Sequence, residues 1–327
     1  MPNGIVSGTS GNDVIEVGYT GDPEGDLIDA GDGINGSVGD EDVVRAGDGN
    51  DAVLSGEGDD TIYGEDGDDL LQSENGDDKV FGGEGEDTIK TGDGNDIALG
   101  EDDDDKILGE DGNDLLVGGE GHDILDGGAD DDILTGGTRT GGDGDDSMYG
   151  GAGSDRFDVG TGGGTKTVEG DAYSGLFGLG GPAVDPDDID VLRLGGDATI
   201  TLDNGTVFSG TPGQDFDLGA LGSETGQAVL ADGTVVNFNE IETIKIVDPE
   251  TIICFTPGTM IATAQGERDV LSLKVGDTVI TRDNGLRKIA WVGQKSVDPM
   301  MKHAHPGLRP VLLHAGSLVQ NMPDRDI

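Results

Sequence analysis

From Ser37 to Thr135 a nine-residue unit repeats without interruption through eleven copies, and this period constrains the fold more than any other feature of the chain. Gly118-Gly-Glu-Gly-His-Asp-Ile-Leu-Asp126 displays the unit in full. Position six is Asp in every copy of the run: Asp42, Asp51, Asp60, Asp69, Asp78, Asp87, Asp96, Asp105, Asp114, Asp123 and Asp132. Position eight is apolar throughout: Val44, Val53, Ile62, Leu71, Val80, Ile89, Ala98, Ile107, Leu116, Leu125 and Leu134. After an insertion at Gly136–Thr140, two further copies carry Asp146 with Met148 and Asp155 with Phe157. An outlying copy at Gly8–Glu16 carries Asp13 and Ile15, and residues 17–36 have no readable phase.

Gly at positions one, two and four lets the chain turn through positive φ and crowd its carbonyl oxygens together. Three residues then remain for a strand, roughly 10 Å long at about 3.3 Å each. So short a strand points one residue inward, the aliphatic at position eight. One coil therefore consumes two repeats, and coils stack through parallel strands around a narrow apolar core. A single coil buries almost nothing, so stability must come from stacking. The expected fold class is all-β, with a parallel β-roll over residues 1–159.

The chain has 69 Asp plus Glu against 18 Lys plus Arg, a formal net charge of −51. The excess is uneven: −40 over residues 1–159, −13 over 160–253 and +2 over 254–327. Such charge opposes compaction unless something cancels it. It argues against nucleic acid, which requires clustered Lys and Arg, and against an anionic membrane surface. Acidic, aromatic-poor chains are often disordered, but here the acids fall in register with Gly and aliphatic residues. No apolar run approaches the roughly 18 residues of a membrane span, so no membrane insertion is expected. The first residues, Met-Pro-Asn-Gly-Ile-Val-Ser-Gly, lack the basic start and apolar stretch of a Sec-type signal.

The register of Asp with crowded carbonyls suits a hard cation. Calcium takes six to eight oxygen ligands from carboxylates and backbone carbonyls. At about one ion per unbroken repeat, on the order of 11 ions would bring about +22 against the −40 of the first region. We therefore expect multiple Ca2+ as cofactor, and metal binding as the folding free energy of the array. Affinity is expected in the range of roughly 10⁻⁴–10⁻³ M typical of extracellular modules.

The pattern resembles the RTX, or haemolysin-type, calcium-binding repeat, Gly-Gly-x-Gly-x-Asp-x-U-x with U a large aliphatic residue. Residues 114–132 fit it at every specified position but one, Asp130; Asp40, Asp103 and Asp130 stand at position four in place of Gly, and Ala98 is a small U residue. The resemblance implies that Asp42, Asp51, Asp60, Asp69, Asp78, Asp87, Asp96, Asp105, Asp114, Asp123, Asp132, Asp146 and Asp155 ligate metal. It also implies type I secretion machinery as a partner and a secreted, extracellular location, with folding completed outside.

Over residues 160–250 the period is lost. Ala198-Thr-Ile-Thr-Leu followed by Asp203-Asn-Gly, and Ala228-Val-Leu, Ala231-Asp-Gly, Thr234-Val-Val-Asn-Phe, read as β-hairpins with Gly-containing turns. A β-rich cap or linker for the open end of the roll is expected there, since a bare sheet edge invites aggregation.

From Cys254 the text changes to Cys-Phe-Thr-Pro-Gly-Thr-Met-Ile-Ala-Thr-Ala-Gln-Gly-Glu, then Val270-Leu-Ser-Leu-Lys-Val-Gly-Asp-Thr-Val279 and Arg287-Lys-Ile-Ala-Trp-Val-Gly293. This resembles the start of a Hint (hedgehog/intein) domain, all-β, over residues 254–327. The resemblance implies that Cys254, the only cysteine, attacks the carbonyl of Ile253 to form a thioester. A thiol with a reference pKa near 8.5 needs activating and polarising partners. The family's Thr/Ser-x-x-His block is not matched: none of His303, His305 and His314 has Thr or Ser three residues before it. The Hint domain is therefore expected to be incomplete here, and self-cleavage only where its remaining half is present. Within this chain Cys254 otherwise reads as a small buried apolar residue. No His-Glu-x-x-His or Gly-x-Ser-x-Gly occurs, which argues against a secreted hydrolase. The other reading is a surface adhesin or matrix protein in which the roll is only a spacer.

Overall fold

The computed structural model describes residues 5–16, 41–137, 144–171 and 188–247, together with strand residues 260–263, 266–269, 278–281, 285–288, 293–294 and 311–312. Two compact units divide the chain, residues 1–249 and 250–327.

The first unit opens with two short strands, β1 (Val6–Ser7) and β2 (Val14–Ile15). Ten six-residue strands follow: β3 (Val43–Asp48), β4 (Ala52–Glu57), β5 (Thr61–Asp66), β6 (Leu70–Asn75), β7 (Lys79–Glu84), β8 (Thr88–Asp93), β9 (Ile97–Asp102), β10 (Lys106–Asp111), β11 (Leu115–Glu120) and β12 (Ile124–Ala129). Then come β13 (Ile133–Thr135), β14 (Ser147–Ala152), β15 (Arg156–Val159), β16 (Thr165–Glu169) and β17 (Val191–Gly195). Odd-numbered strands build one sheet and even-numbered strands the other, each pairing in parallel with the strand two places on. Ile62 faces Val80 and Leu71 faces Ile89, an offset of two repeats per coil. The architecture is a parallel β-roll.

The strands are longer than the three residues the repeat leaves free. In β5 and β7 the ladder pairs Thr61 to Tyr63 with Lys79 to Phe81, skips position one, and resumes at Glu65 and Asp66. Every residue of a coil lies over its equivalent in the next, so the turn backbone also finds partners: the Gly67 N–H donates to the Glu84 carbonyl at 2.7 Å. That satisfies amides a tight turn would otherwise leave to solvent. Position one is a second inward-facing site, and Ala46, Ser55, Ser73 and Thr91 there are buried beside the position-eight file. It does not use positive φ, as the sequence suggested. Positions two and four do, including non-glycine residues such as Glu65 (φ 77°) and Asp103 (φ 76°).

The core is two facing single files. One passes through Val44, Ile62, Val80, Ala98, Leu116, Leu134 and Phe157 and continues to Leu192 and Ile244. All of these are essentially inaccessible to solvent. The insertion after Gly136 leaves register intact, since Leu125 still pairs with Met148.

Beyond the repeats the two sheets continue and change character. The chain forms β18 (Ala198–Leu202), β19 (Val207–Gly210), β20 (Gln214–Asp217), a single helical turn α1 (Leu218–Leu221), β21 (Gly226–Leu230), β22 (Val235–Asn239) and β23 (Thr243–Val247). Strands β22 and β23 add in parallel to β16 and β17. The expected hairpins are present as β18–β19 and β21–β22, both antiparallel. The outermost strands, β19 and β20, bring Phe208 and Phe216 to 4.6 Å between ring centroids against the end of the core.

In the second unit β24 (Met260–Thr263), β25 (Gly266–Asp269), β26 (Thr278–Thr281) and β27 (Gly285–Lys288) form an antiparallel sheet, and β28 (Gly293–Gln294) pairs with β29 (Val311–Leu312). Ile253, Cys254, His303, His305 and His314 lie outside the described residues. Among the described residues no helix is long and apolar enough to cross a membrane.

Candidate metal centre

Position six falls just before each short inward-facing segment, so its carboxylate is fixed at the turn, on the edge of the roll. The two sheets give two edges. Along the first, the position-six residues stack as Asp42, Asp60, Asp78, Asp96, Asp114, Asp132 and Asp155. Along the second they stack as Asp13, Asp51, Asp69, Asp87, Asp105, Asp123 and Asp146. Each Asp N–H donates to Oδ1 of the Asp one coil on, at 2.6–3.2 Å. All thirteen sequence-identified aspartates therefore lie in these two columns, and Asp13 joins them.

One oxygen of every column carboxylate from Asp51 to Asp155 is thus used by the backbone. The other points into the turn. Oδ2 of Asp51, Asp69, Asp87, Asp105, Asp114, Asp123, Asp132 and Asp155 is buried and meets no hydrogen-bond donor. Buried, uncompensated carboxylate oxygens are costly, so a row of them calls for a cation. A methyl group placed on Gly82 would collide with Asp87 Oδ2 and lie 2.6 Å from the Gly100 carbonyl oxygen. The same arrangement recurs at Gly100, Gly118 and Gly127. The glycine at position one therefore leaves room between a carboxylate and a carbonyl of the next coil. Among the described residues no three His, Cys, Asp or Glu side chains converge. These turns instead offer one carboxylate each and a crowd of main-chain carbonyls, a hard all-oxygen donor set that fits calcium.

The electrostatics of the bare turns agree. Burial pushes Asp69 and Asp78 up to about 6, Asp87, Asp96, Asp123 and Asp155 to about 7, and Asp105 to about 8. Asp114 and Asp132 are raised well above the usual carboxylate range by burial and then by neighbouring aspartates of their own column. A divalent ion would reverse this, because it favours the ionised form.

Family models match both parts of the chain. The RTX calcium-binding nonapeptide repeat, in four-copy units, matches within residues 38–138 and again at 140–165. A Hint domain matches residues 253–327. The chain carries RTX calcium-binding repeats and a Hint domain. No curated protein matches it.

The RTX columns are not uniform. At three levels of the first edge position one carries a hydroxyl: Ser73 Oγ donates to the Thr91 carbonyl and Thr91 Oγ1 to the Gly109 carbonyl, each at 3.0 Å, and Ser55 Oγ reaches the Ser73 carbonyl at 3.4 Å. Asp146 differs as well. Its Oδ2 receives the Lys166 ammonium at 2.7 Å, and both side chains are buried.

Sequence reasoning missed the continuation of the columns. Asp190 Oδ1 accepts the Asp155 N–H at 2.8 Å, and Glu242 Oε2 accepts the Asp190 N–H at 2.7 Å. Burial pushes Asp190 up to about 9. A signal existed: Asp190-Val-Leu192 and Glu242-Thr-Ile244 keep the acid-x-aliphatic tail of the repeat without its glycine head.

Proposed function

We propose that this chain is an exported RTX protein whose roll folds around multiple calcium ions once outside the cell. The observation that carries it is the row of buried Oδ2 atoms lacking donors, aligned along both edges of the roll. The ligands would be the thirteen aspartates named above, from Asp42 to Asp155, with carbonyl oxygens of the adjoining turns. The ions supply positive charge between carboxylates. The chain itself holds each carboxylate in place through the Asp N–H to Oδ1 ladder and excludes water with the position-eight files. At low cytosolic calcium the uncompensated acids keep the chain unfolded and exportable by type I machinery. Residues 160–250 close the end of the roll, with Phe208 and Phe216 covering the last core layer.

Isothermal titration with calcium tests the reading. It should show many ions bound per chain, with the heat of coupled folding accompanying binding. Binding of only one or two ions would refute it. An export rate indifferent to calcium would refute the coupling to secretion.

The Hint match supports an autoprocessing role where that domain is whole: the Cys254 thiol attacks the Ile253 carbonyl, the Ile253–Cys254 amide becomes a thioester as its nitrogen leaves as an amine, and water then hydrolyses the thioester to release the acidic array. The test is the full precursor beside its Cys254→Ala variant. Fragments should form from the first alone, and identical persistence of both would remove this role.

A further inference from the structure

Both carboxylate columns run past the last nonapeptide, and they end differently. After Asp146 the next position-six residue on the second edge is Lys166: Met148 pairs with Val168, so Lys166-Thr-Val168 stands where Asp-x-aliphatic would. The Thr167 N–H donates to the Asp146 carbonyl, as the repeats do. Lys166 is 3% exposed. Its ammonium reaches back to Asp146 Oδ2 at 2.7 Å and to the Gly144 carbonyl at 2.6 Å. A carboxylate and a turn carbonyl are the ligand types that bracket the space at Gly82, three coils earlier on the same edge. A fixed cation occupies this end.

On the first edge the equivalent residue is again an aspartate. Phe157 pairs with Leu192, placing Asp190 at position six. Asp155, 1% exposed, has Oδ2 buried without a hydrogen-bond donor. That atom faces Gly150, and the Gly170 carbonyl oxygen lies 2.6 Å from the same point on Gly150. A methyl on Gly170 would in turn collide with Asp190 Oδ2 and the Glu240 carbonyl oxygen. Gly170 and Asp190 thus rebuild a metal-type turn from residues outside the nonapeptides, although residues 172–187 intervene between them.

Resting on the calcium-roll reading, we propose that a calcium ion joins the array to the following region on the first edge, held between Asp155 and the Gly170–Asp190 turn, while Lys166 replaces that ion on the second edge. The junction is then calcium-dependent on one side and permanently charge-neutralised on the other. The donor set is carboxylate and carbonyl oxygen alone, which selects calcium over softer metals. Asp190→Asn keeps Oδ1 as acceptor for the Asp155 N–H and removes the charge. Lys166→Met removes the fixed cation and opens Asp146 to solvent calcium.

The test uses the full chain, with calcium counted by equilibrium dialysis and hydrogen exchange followed strand by strand. Asp190→Asn should bind one ion fewer than the parent and lose calcium-dependent protection in β17 and β23, with β5 to β12 still protected. Lys166→Met should bind one ion more, and protection of β16 should become calcium-dependent. Unchanged ion counts in both variants overturn the junction site. A parent chain that binds no calcium sinks the underlying reading instead, so the two failures are distinguishable.

Discussion

Replacing Asp96 by Asn should move the metal-free and metal-bound forms of the roll in opposite directions. Asp96 is buried, and its Oδ1 accepts the Asp78 N–H at 2.7 Å, a bond that an Asn carbonyl keeps. Burial, followed by the nearby Asp78 charge, pushes its carboxyl from 3.8 up to about 7 without metal. A folded-state value above the unfolded one means that the group stabilises the fold below pH about 4 and loses that contribution as pH rises through 7. The gap of about three units, at about 1.4 kcal/mol per unit, makes the ionised group cost the metal-free roll about 4 kcal/mol at pH 8.5. Asn does not ionise, so that cost disappears at pH 8.5 and nothing is gained at pH 3. With calcium present, Asn offers no anionic ligand, and the roll is weakened. The assay is circular dichroism of the parent and Asp96→Asn across pH in chelator, then across calcium at pH 7.5. In chelator the variant should acquire β-structure at a higher pH than the parent. In calcium its folding midpoint should move to higher concentration. A variant less folded than the parent in alkaline chelator, or an unmoved calcium midpoint, refutes the reasoning.

Three further outcomes follow from the packing. Leu116→Ala empties a fully buried place in a single-file core and should cost about 2–5 kcal/mol in urea unfolding at saturating calcium. Gly94 sits at φ 150° with the Gly76 carbonyl against the space a side chain would need. Gly94→Ala must therefore shift toward the left-handed geometry Asp103 adopts, costing about 1–2 kcal/mol, readable as a lower melting temperature in calcium. On the outer face Tyr63 and Phe81 stack at 5.0 Å and 8°, with Arg45 over the Tyr63 ring at 4.4 Å. A double-mutant cycle between Tyr63→Ala and Phe81→Ala should return a coupling of about 0.5–1.5 kcal/mol, and additivity would refute a stabilising stack.

The regular part of this molecule could be read from text because its period is strict. Invariant Asp at position six and an aliphatic at position eight set the coil, the parallel register and both carboxylate columns. Less legible was the role of position one, where Gly82 spares space beside Asp87 Oδ2 while Ser73 and Thr91 use the same place to bury hydroxyls. Glycine there looks the same in sequence as glycine that supplies positive φ, and only stacking distinguishes them. Asp190 and Glu242 escaped because insertions break the spacing that made the repeats visible. Once the ladder exists, hydrogen bonds to the preceding coil fix position six, and loop length ceases to matter. Lys166 escaped for a different reason, since a lone Lys after an acidic array reads as ordinary surface charge until the register puts it at position six.

The central claim is that calcium folds the roll, and the most direct measurement is far-UV circular dichroism of this chain during calcium titration, with magnesium as control. The account predicts a calcium-specific transition from coil to β-structure. Full β-structure in chelator at neutral pH, or an equal response to magnesium, would contradict it.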